Sequence, residues 1–142
     1  AIGISSLKKL KNTIFLRKNI YEYLSNNLSQ YKDAIKFINY YDKYKFSSPY
    51  YLVIKIKDKN LLKNKLKFCK NIIKYNININ YDYSELVSEW KWIPRKQIRG
   101  KTPNAIQLRD QSFHLRFNER YQKKHLDYII STIKKGIDKY IR

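Results

Sequence analysis

Apolar residues recur at steps of three and four from the start of the chain. Leu7, Leu10 and Ile14 follow Ser5 and Ser6, a pattern that predicts a capped first helix. From about Lys18 to Tyr41 the apolar positions are Ile20, Leu24, Leu28, Tyr31, Ile35 and Ile38. They form one continuous helical stripe, with Asn26, Lys32, Asp33 and Lys36 on the opposite face. Such a stripe needs a covering surface. It either packs on its own domain or docks on a neighbouring protein or on RNA. Asp42 to Pro49 is polar and ends in Ser47-Ser48-Pro49, a break that separates an N-terminal helical extension (1–48) from a domain over 49–142.

Beyond the break the pattern changes. Tyr51-Leu52-Val53-Ile54-Lys55-Ile56-Lys57 is rich in β-branched residues and predicts a strand. Asn60 caps a predicted helix from Leu61 to about Lys74, with Leu62, Leu66, Cys69 and Ile73 on its inner face. Ile77, Ile79, Tyr81 and Tyr83 alternate with Asn and Asp, which predicts a half-buried strand. Trp90-Lys91-Trp92-Ile93 and Phe113-His114-Leu115-Arg116-Phe117 are expected to form the arms of a long hairpin. Leu126, Ile129, Ile130 and Ile133 mark an amphipathic helix that Gly136 stops, and residues 137–142 read as a last short strand. The expected fold class is therefore α+β, a ferredoxin-like β-α-β-β-α-β sandwich carrying a long basic β-hairpin loop.

Charge sharpens that picture. The formal net charge is +20 and the pI about 10.0. A compact fold with that excess repels itself unless a polyanion counters it, and nucleic acid is the natural counter-charge. Part of the lysine excess follows the Lys, Asn, Ile and Tyr bias of AT-rich coding. Lys91, Arg95, Lys96, Arg99 and Lys101 run without an acid until Asp110, so the hairpin tip is expected to reach into RNA. The longest uncharged apolar runs are too short to span a bilayer. One cysteine, Cys69, allows no internal disulfide and is expected to be a small core hydrophobe.

Residues 50–142 resemble the small-subunit ribosomal protein family called universal S-ten. Val53-Ile54-Lys55-Ile56-Lys57 followed by Leu61-Leu62 is similar to its first strand and helix. Ile93-Pro94-Arg95-Lys96 matches its Pro-containing strand end. Thr102-Pro103-Asn104 and Gln111-Ser112-Phe113-His114-Leu115-Arg116 look like its loop, Arg120 falls on its second arginine, and Gly136-Ile137-Asp138 is similar to its closing strand. The resemblance implies a structural constituent of the small ribosomal subunit head that is not an enzyme and needs no cofactor. Its partners would be ribosomal RNA and neighbouring head proteins, with no membrane span and no homo-oligomer. The added extension and the divergence suggest an organellar member in the mitochondrial matrix, a plastid-type organelle being the alternative.

On this reading Lys91, Arg95, Lys96, Arg99, Lys101, Arg109, Arg116 and Arg120 meet RNA phosphates, which set register rather than read sequence. Trp90 and Trp92 share a strand face and either pack against protein or stack on unpaired bases. Ile20, Leu24 and Leu28 are the partner contacts of the extension if it docks outward. Chemistry finds little footing. His114 and His125 have no cysteine at metal-ligand spacing, and Asp82, Glu85 and Glu89 are the only acidic grouping that could serve a metal-dependent nuclease. With three glycines in all there is no phosphate-cradling loop. The alternatives are a free-standing ferredoxin-like RNA-binding protein in RNA processing and a membrane-surface protein using the Lys18–Tyr41 helix.

Overall fold

A computed structural model describes residues 2–38, 49–82, 86, 89–92, 94 and 102–141. Helix α1 (Ile2–Leu28) is followed by a 3-10 turn (Ser29–Tyr31) and strand β1 (Ile35–Phe37). Then come β2 (Tyr51–Ile56), the helices α2 (Lys59–Lys63) and α3 (Lys65–Ile73), and β3 (Ile79–Asn80). Helix α4 (Pro103–Gln111), strand β4 (Ser112–Arg116) and helix α5 (Lys123–Tyr140) complete the fold. The four strands form one antiparallel sheet in the order β1-β2-β4-β3.

One side of that sheet carries the core. Leu52, Ile54 and Ile56 of β2 and Phe113 and Leu115 of β4 are almost fully buried. They share one cluster with Ile20, Leu24 and Leu28 of α1, Phe68 and Ile72 of α3, and Ile133 and Ile137 of α5. Two tyrosines clasp the α1 region to α5 at its rim. The Tyr23 hydroxyl donates to Asp127 Oδ1 at 2.6 Å, and the Tyr31 hydroxyl to Asp138 Oδ1 at 2.9 Å. Each neighbouring carboxylate opposes phenolate formation: at Tyr23 its hydrogen bond is the main cause of a raised pKa, while at Tyr31 burial comes first. Ile20, Leu24 and Leu28 are thus covered by the chain's own sheet and α5 rather than by a partner.

The ferredoxin-like expectation is corrected at both ends. The predicted last strand does not form, because α5 continues to Tyr140. Its apolar stripe runs on from Ile133 to Ile137, one turn further, so the helix has a buried face to extend along. Gly136 is not a stop. It is buried inside the helix, and a Cβ there would meet Phe68 Cε2 at 2.8 Å, so the glycine permits close approach of α3 and α5. The fourth strand comes instead from β1, where the predicted long helix has already ended. Asn27 Nδ2 donates to the Tyr23 carbonyl at 2.8 Å and Ser29 Oγ to the Asn26 carbonyl at 2.6 Å, side-chain bonds that compete with further helical turns. Ile35, at helical spacing from Tyr31, lies opposite Ile56 in the sheet.

Smaller shifts have local causes. Asp58, not Asn60, caps α2, its carboxylate accepting from the Leu61 amide at 2.7 Å. The helix breaks at Asn64, and the inner face of α2 and α3 becomes Leu61, Phe68, Cys69 and Ile72, with Leu66 and Ile73 outside. Asn76 ends this segment in the left-handed region, at φ 59. The hairpin arm predicted at Trp90 to Ile93 is absent, since Lys91 and Trp92 lie in a turn and Ile93 is outside the described residues. Within the predicted tip, residues 103–111 form helix α4, with Pro103 at its start, where a missing N–H costs nothing, and residues 95–101 lie outside the described residues. The boundary expected at residue 48 falls at the edge of a stretch outside the described residues. No helix among the described residues is long and apolar enough to cross a membrane.

Candidate functional site

The register of β2 against β4 decides what the other sheet face presents. Tyr51 lies opposite Arg116, Val53 opposite His114 and Lys55 opposite Ser112. Side chains alternate along a strand, so these six share the face turned away from the core. The Tyr51 ring stacks on His114 with centroids 5.7 Å apart, and the Arg116 guanidinium stands 5.6 Å from the Tyr51 centroid. Tyr50 meets Tyr51 edge-on at 4.5 Å, and Arg17, held by Glu119 at 3.0 Å, stands 5.3 Å from the Tyr50 centroid. Burial lowers the His114 pKa, and the cations Lys65 and Arg116 lower it further, so the imidazole is neutral at neutral pH.

Lys65 closes one end of this group. Its ammonium donates to the carbonyl oxygens of Arg109 and Asp110, both at 3.0 Å, and joins α3 to the end of α4. Burial lowers its pKa as well. Arg109 is engaged by two carboxylates, through Nε to Asp110 at 2.9 Å and through Nη1 to Glu89. The arrangement can hold an anion beside an aromatic wall. Cys69 cannot serve it as a nucleophile: the side chain is fully buried, and burial pushes its thiol pKa up to about 12, against a smaller opposing pull from Lys65. A thiol reagent at pH 8 should therefore leave the folded chain unmodified, and urea unfolding should release one reactive thiol; labelling without denaturant would show the α3–sheet interface to be open. No group of three or more metal-ligating side chains occurs among the described residues.

The residues predicted from the sequence are scattered. Arg116 belongs to the sheet-face group, while Arg109 lies in ion pairs at its edge. Arg120 sits in the turn after β4, its amide donating to Asn118 Oδ1, and not on a strand in line with Arg116. Lys91 is exposed on a turn. Arg95, Lys96, Arg99 and Lys101 lie outside the described residues. Trp90 and Trp92 stack on each other, centroids 5.0 Å apart, leaving Trp92 74% exposed. Tyr51, His114 and Lys65 were not anticipated as a group. Their signal was the alternation of Tyr51-Leu52-Val53 and Phe113-His114-Leu115-Arg116, which becomes a site only once the two strands are paired.

The DegT/DnrJ/EryC1/StrS aminotransferase family model matches residues 1–134. Solved structures share the fold. PseC from Helicobacter pylori, an aminotransferase involved in the biosynthesis of pseudoaminic acid, is 15% identical, with a TM-score of 0.76 over 97% of this chain and 36% of its own. NtdA from Bacillus subtilis, with bound PMP, is 14% identical, with a TM-score of 0.78 over 96% of this chain and 31% of its own. The GDP-4-keto-6-deoxy-D-mannose-3-dehydratase of E. coli, with bound hydrated PLP, is 16% identical, with a TM-score of 0.72 over 93% of this chain and 33% of its own. The chain spans about a third of the length of the solved structures it matches. No curated protein matches it.

These matches overturn the ribosomal resemblance. With it go the structural role in the small subunit, the ribosomal RNA and head-protein partners, the absence of a homo-oligomer, the expectation that the protein is not an enzyme, and the ferredoxin-like RNA-binding alternative. The organellar address loses the resemblance that supported it. The physical reason lies in the elements themselves: Thr102-Pro103-Asn104 opens α4 instead of lying in a loop, and Gly136-Ile137-Asp138 is helix instead of strand. The chain belongs to the DegT/DnrJ/EryC1/StrS aminotransferase family.

Proposed function

We propose that this chain is the smaller, cofactor-free part of a PLP-dependent sugar aminotransferase and works against a portion that holds the cofactor. The family match over residues 1–134 carries the reading, together with the one-third share of solved relatives that include sugar-pathway enzymes and structures with bound PLP or PMP. PLP enzymes hold the cofactor through a lysine Schiff base and a charged partner to the pyridine nitrogen. Lys65 and four of the described aspartates are already committed to other partners. Lys65, whose pKa burial lowers, has its ammonium engaged by two carbonyls. Asp58 caps a helix, Asp110 pairs with Arg109, and Asp127 and Asp138 accept from tyrosines.

The contribution of this chain is a substrate-facing wall. Arg116 supplies a cation suited to a phosphate, and the Tyr51–His114 stack an aromatic surface suited to a sugar ring. The 142-residue chain alone, mixed with PLP, should form no borohydride-trapped adduct, while the assembled protein should transfer an amino group to a keto-sugar. In that assembly Arg116→Ala should raise KM for a phosphorylated keto-sugar about 10-fold, with PLP absorbance unchanged. A stoichiometric PLP adduct on the chain alone would refute the cofactor-free reading, and an assembly without PLP would refute the aminotransferase reading.

A further inference from the structure

A cleft of about 510 Å³ opens where the end of α3, the approach to β3 and the start of α5 meet. Tyr75, Tyr121 and Tyr128 line it together with Asn76, Lys124 and His125. Its size falls in the range of small-molecule sites, which combine aromatic walls with a few polar groups.

Local structure explains how these residues meet. Beyond α3 the chain turns at Asn76, whose φ of 59 redirects it towards β3. Tyr75 is left 50% exposed at that turn, and Tyr128 of α5 is 49% exposed. The Tyr128 hydroxyl donates to the Tyr75 carbonyl at 3.2 Å and ties the two sides together. Tyr121, Lys124, His125 and Tyr128 recur at steps of three and four, so they share one side at the start of α5. The Tyr121 and His125 rings stand 6.1 Å apart. His125 Nδ1 accepts from the Gln122 amide at 3.0 Å, which leaves the proton of a neutral imidazole on Nε2, as a donor. Asp127 looks elsewhere, accepting from Tyr23 of α1. No acidic residue lines the cleft, and among the described residues no carboxylate pairs with Lys124.

Three chemistries thus converge, and one ligand class uses all of them. Tyrosine rings stack on a planar base, each base adding roughly 1–3 kcal/mol. The Asn76 carboxamide donates and accepts, as the edge of a base requires. The Lys124 ammonium, with no acid beside it in the cleft, suits a phosphate. We propose that this cleft binds a nucleoside monophosphate. The site goes beyond the aminotransferase reading and does not depend on PLP. It is also distinct from the sheet-face group. Ile77 and Ile129, which border the cleft, belong to the core cluster, whereas Tyr51, His114 and Arg116 face away from the core.

Calorimetric titration of the 142-residue chain with AMP and with UMP tests the proposal. The expected result is one site per chain with a Kd on the order of 0.1 mM for at least one of the two. Orthophosphate and ribose 5-phosphate should bind at least about 10-fold more weakly, having no base to stack. Tyr128→Ala should weaken the nucleotide about 10-fold, and Tyr128→Phe, which keeps the ring, by less than about threefold. Tyr75→Ala gives a second ring deletion if Tyr128→Ala does not fold, as judged by circular dichroism. Lys124→Gln should weaken the nucleotide about 5- to 10-fold and leave binding of the parent nucleoside unchanged. Arg116→Ala, on the other side of the sheet, should alter the affinity by less than about twofold. Absence of saturation by about 10 mM of either nucleotide overturns the proposal. So does orthophosphate binding as tightly as the nucleotide, which would make the cleft a plain anion patch. A nucleoside that binds as tightly as its monophosphate removes the phosphate contact and overturns the ligand assignment. Loss of binding in Arg116→Ala, with the ring variants unaffected, moves the nucleotide to the sheet face and overturns the second site.

Discussion

Phe68→Ala should lower the unfolding free energy by about 3–5 kcal/mol, read as a shift of the urea midpoint at constant slope. Phe68 is fully buried and meets Phe113 edge-on at 5.5 Å and Tyr140 at 6.2 Å, so its ring links α3, the sheet and the end of α5. Gly136 lies against the same ring. In the native background Gly136→Ala pushes a methyl to 2.8 Å from Phe68 Cε2 and should cost about 1–3 kcal/mol. In the Phe68→Ala background the clash is gone and the helix-propensity gain of about 1 kcal/mol is left, so the same change should stabilise. A double-mutant cycle with that reversal of sign is the expected outcome. Additive costs would mean that the ring moves aside or that α5 does not close on α3 here.

Leu24→Ala should cost about 2–5 kcal/mol and leave a single unfolding transition. Leu24 is 0% exposed and belongs to the same cluster as β2, β4 and α5. An α1 that merely hung from the domain would tolerate the change within about 0.5 kcal/mol, or melt in a separate step. Circular dichroism and tyrosine fluorescence should therefore report one midpoint for native chain and variant alike.

The elements that periodicity located were those whose burial has one simple face. Val53 to Ile56, the segment around Phe68 and Cys69, Phe113 to Leu115 and the stripe from Leu126 to Ile133 all form the predicted kind of structure. The misses have a common cause, which is that spacing does not reveal partners. Ile35 continues a helical stripe on paper, yet its neighbour is Ile56 across a strand pair. Pro103 and the surrounding cations read as a loop, although proline opens a helix as readily as it breaks one. Gly136 read as a stop, while its role is set by the Phe68 ring from another helix. Strand order went wrong with these, since a strand was expected after α5 and none was expected before residue 49.

The candidate site was legible only in part. Arg109 and Arg116 stood out as cations, and their surroundings give them separate duties: Arg109 neutralises Glu89 and Asp110, while Arg116 stands over Tyr51. Tyr51 and His114 carry no motif of their own, and only the β2–β4 register brings them together. The charge of +20 pointed towards a polyanion and so favoured RNA. Charge density alone does not distinguish a nucleic acid from an acidic protein face or a phosphorylated substrate.

The position of β2 between β1 and β4 has a kinetic consequence. Its partner on one side is a three-residue strand that precedes it, and its partner on the other is β4, which follows only after α2, α3, β3 and α4. Long-range pairing of this kind slows folding, because the intervening loop must close before any contact rewards it. During synthesis the segment from α1 to β2 therefore waits with Leu52, Ile54 and Leu24 uncovered until β4 is made. The late segment from Ser112 onward completes the sheet and the cooperative unit in one event.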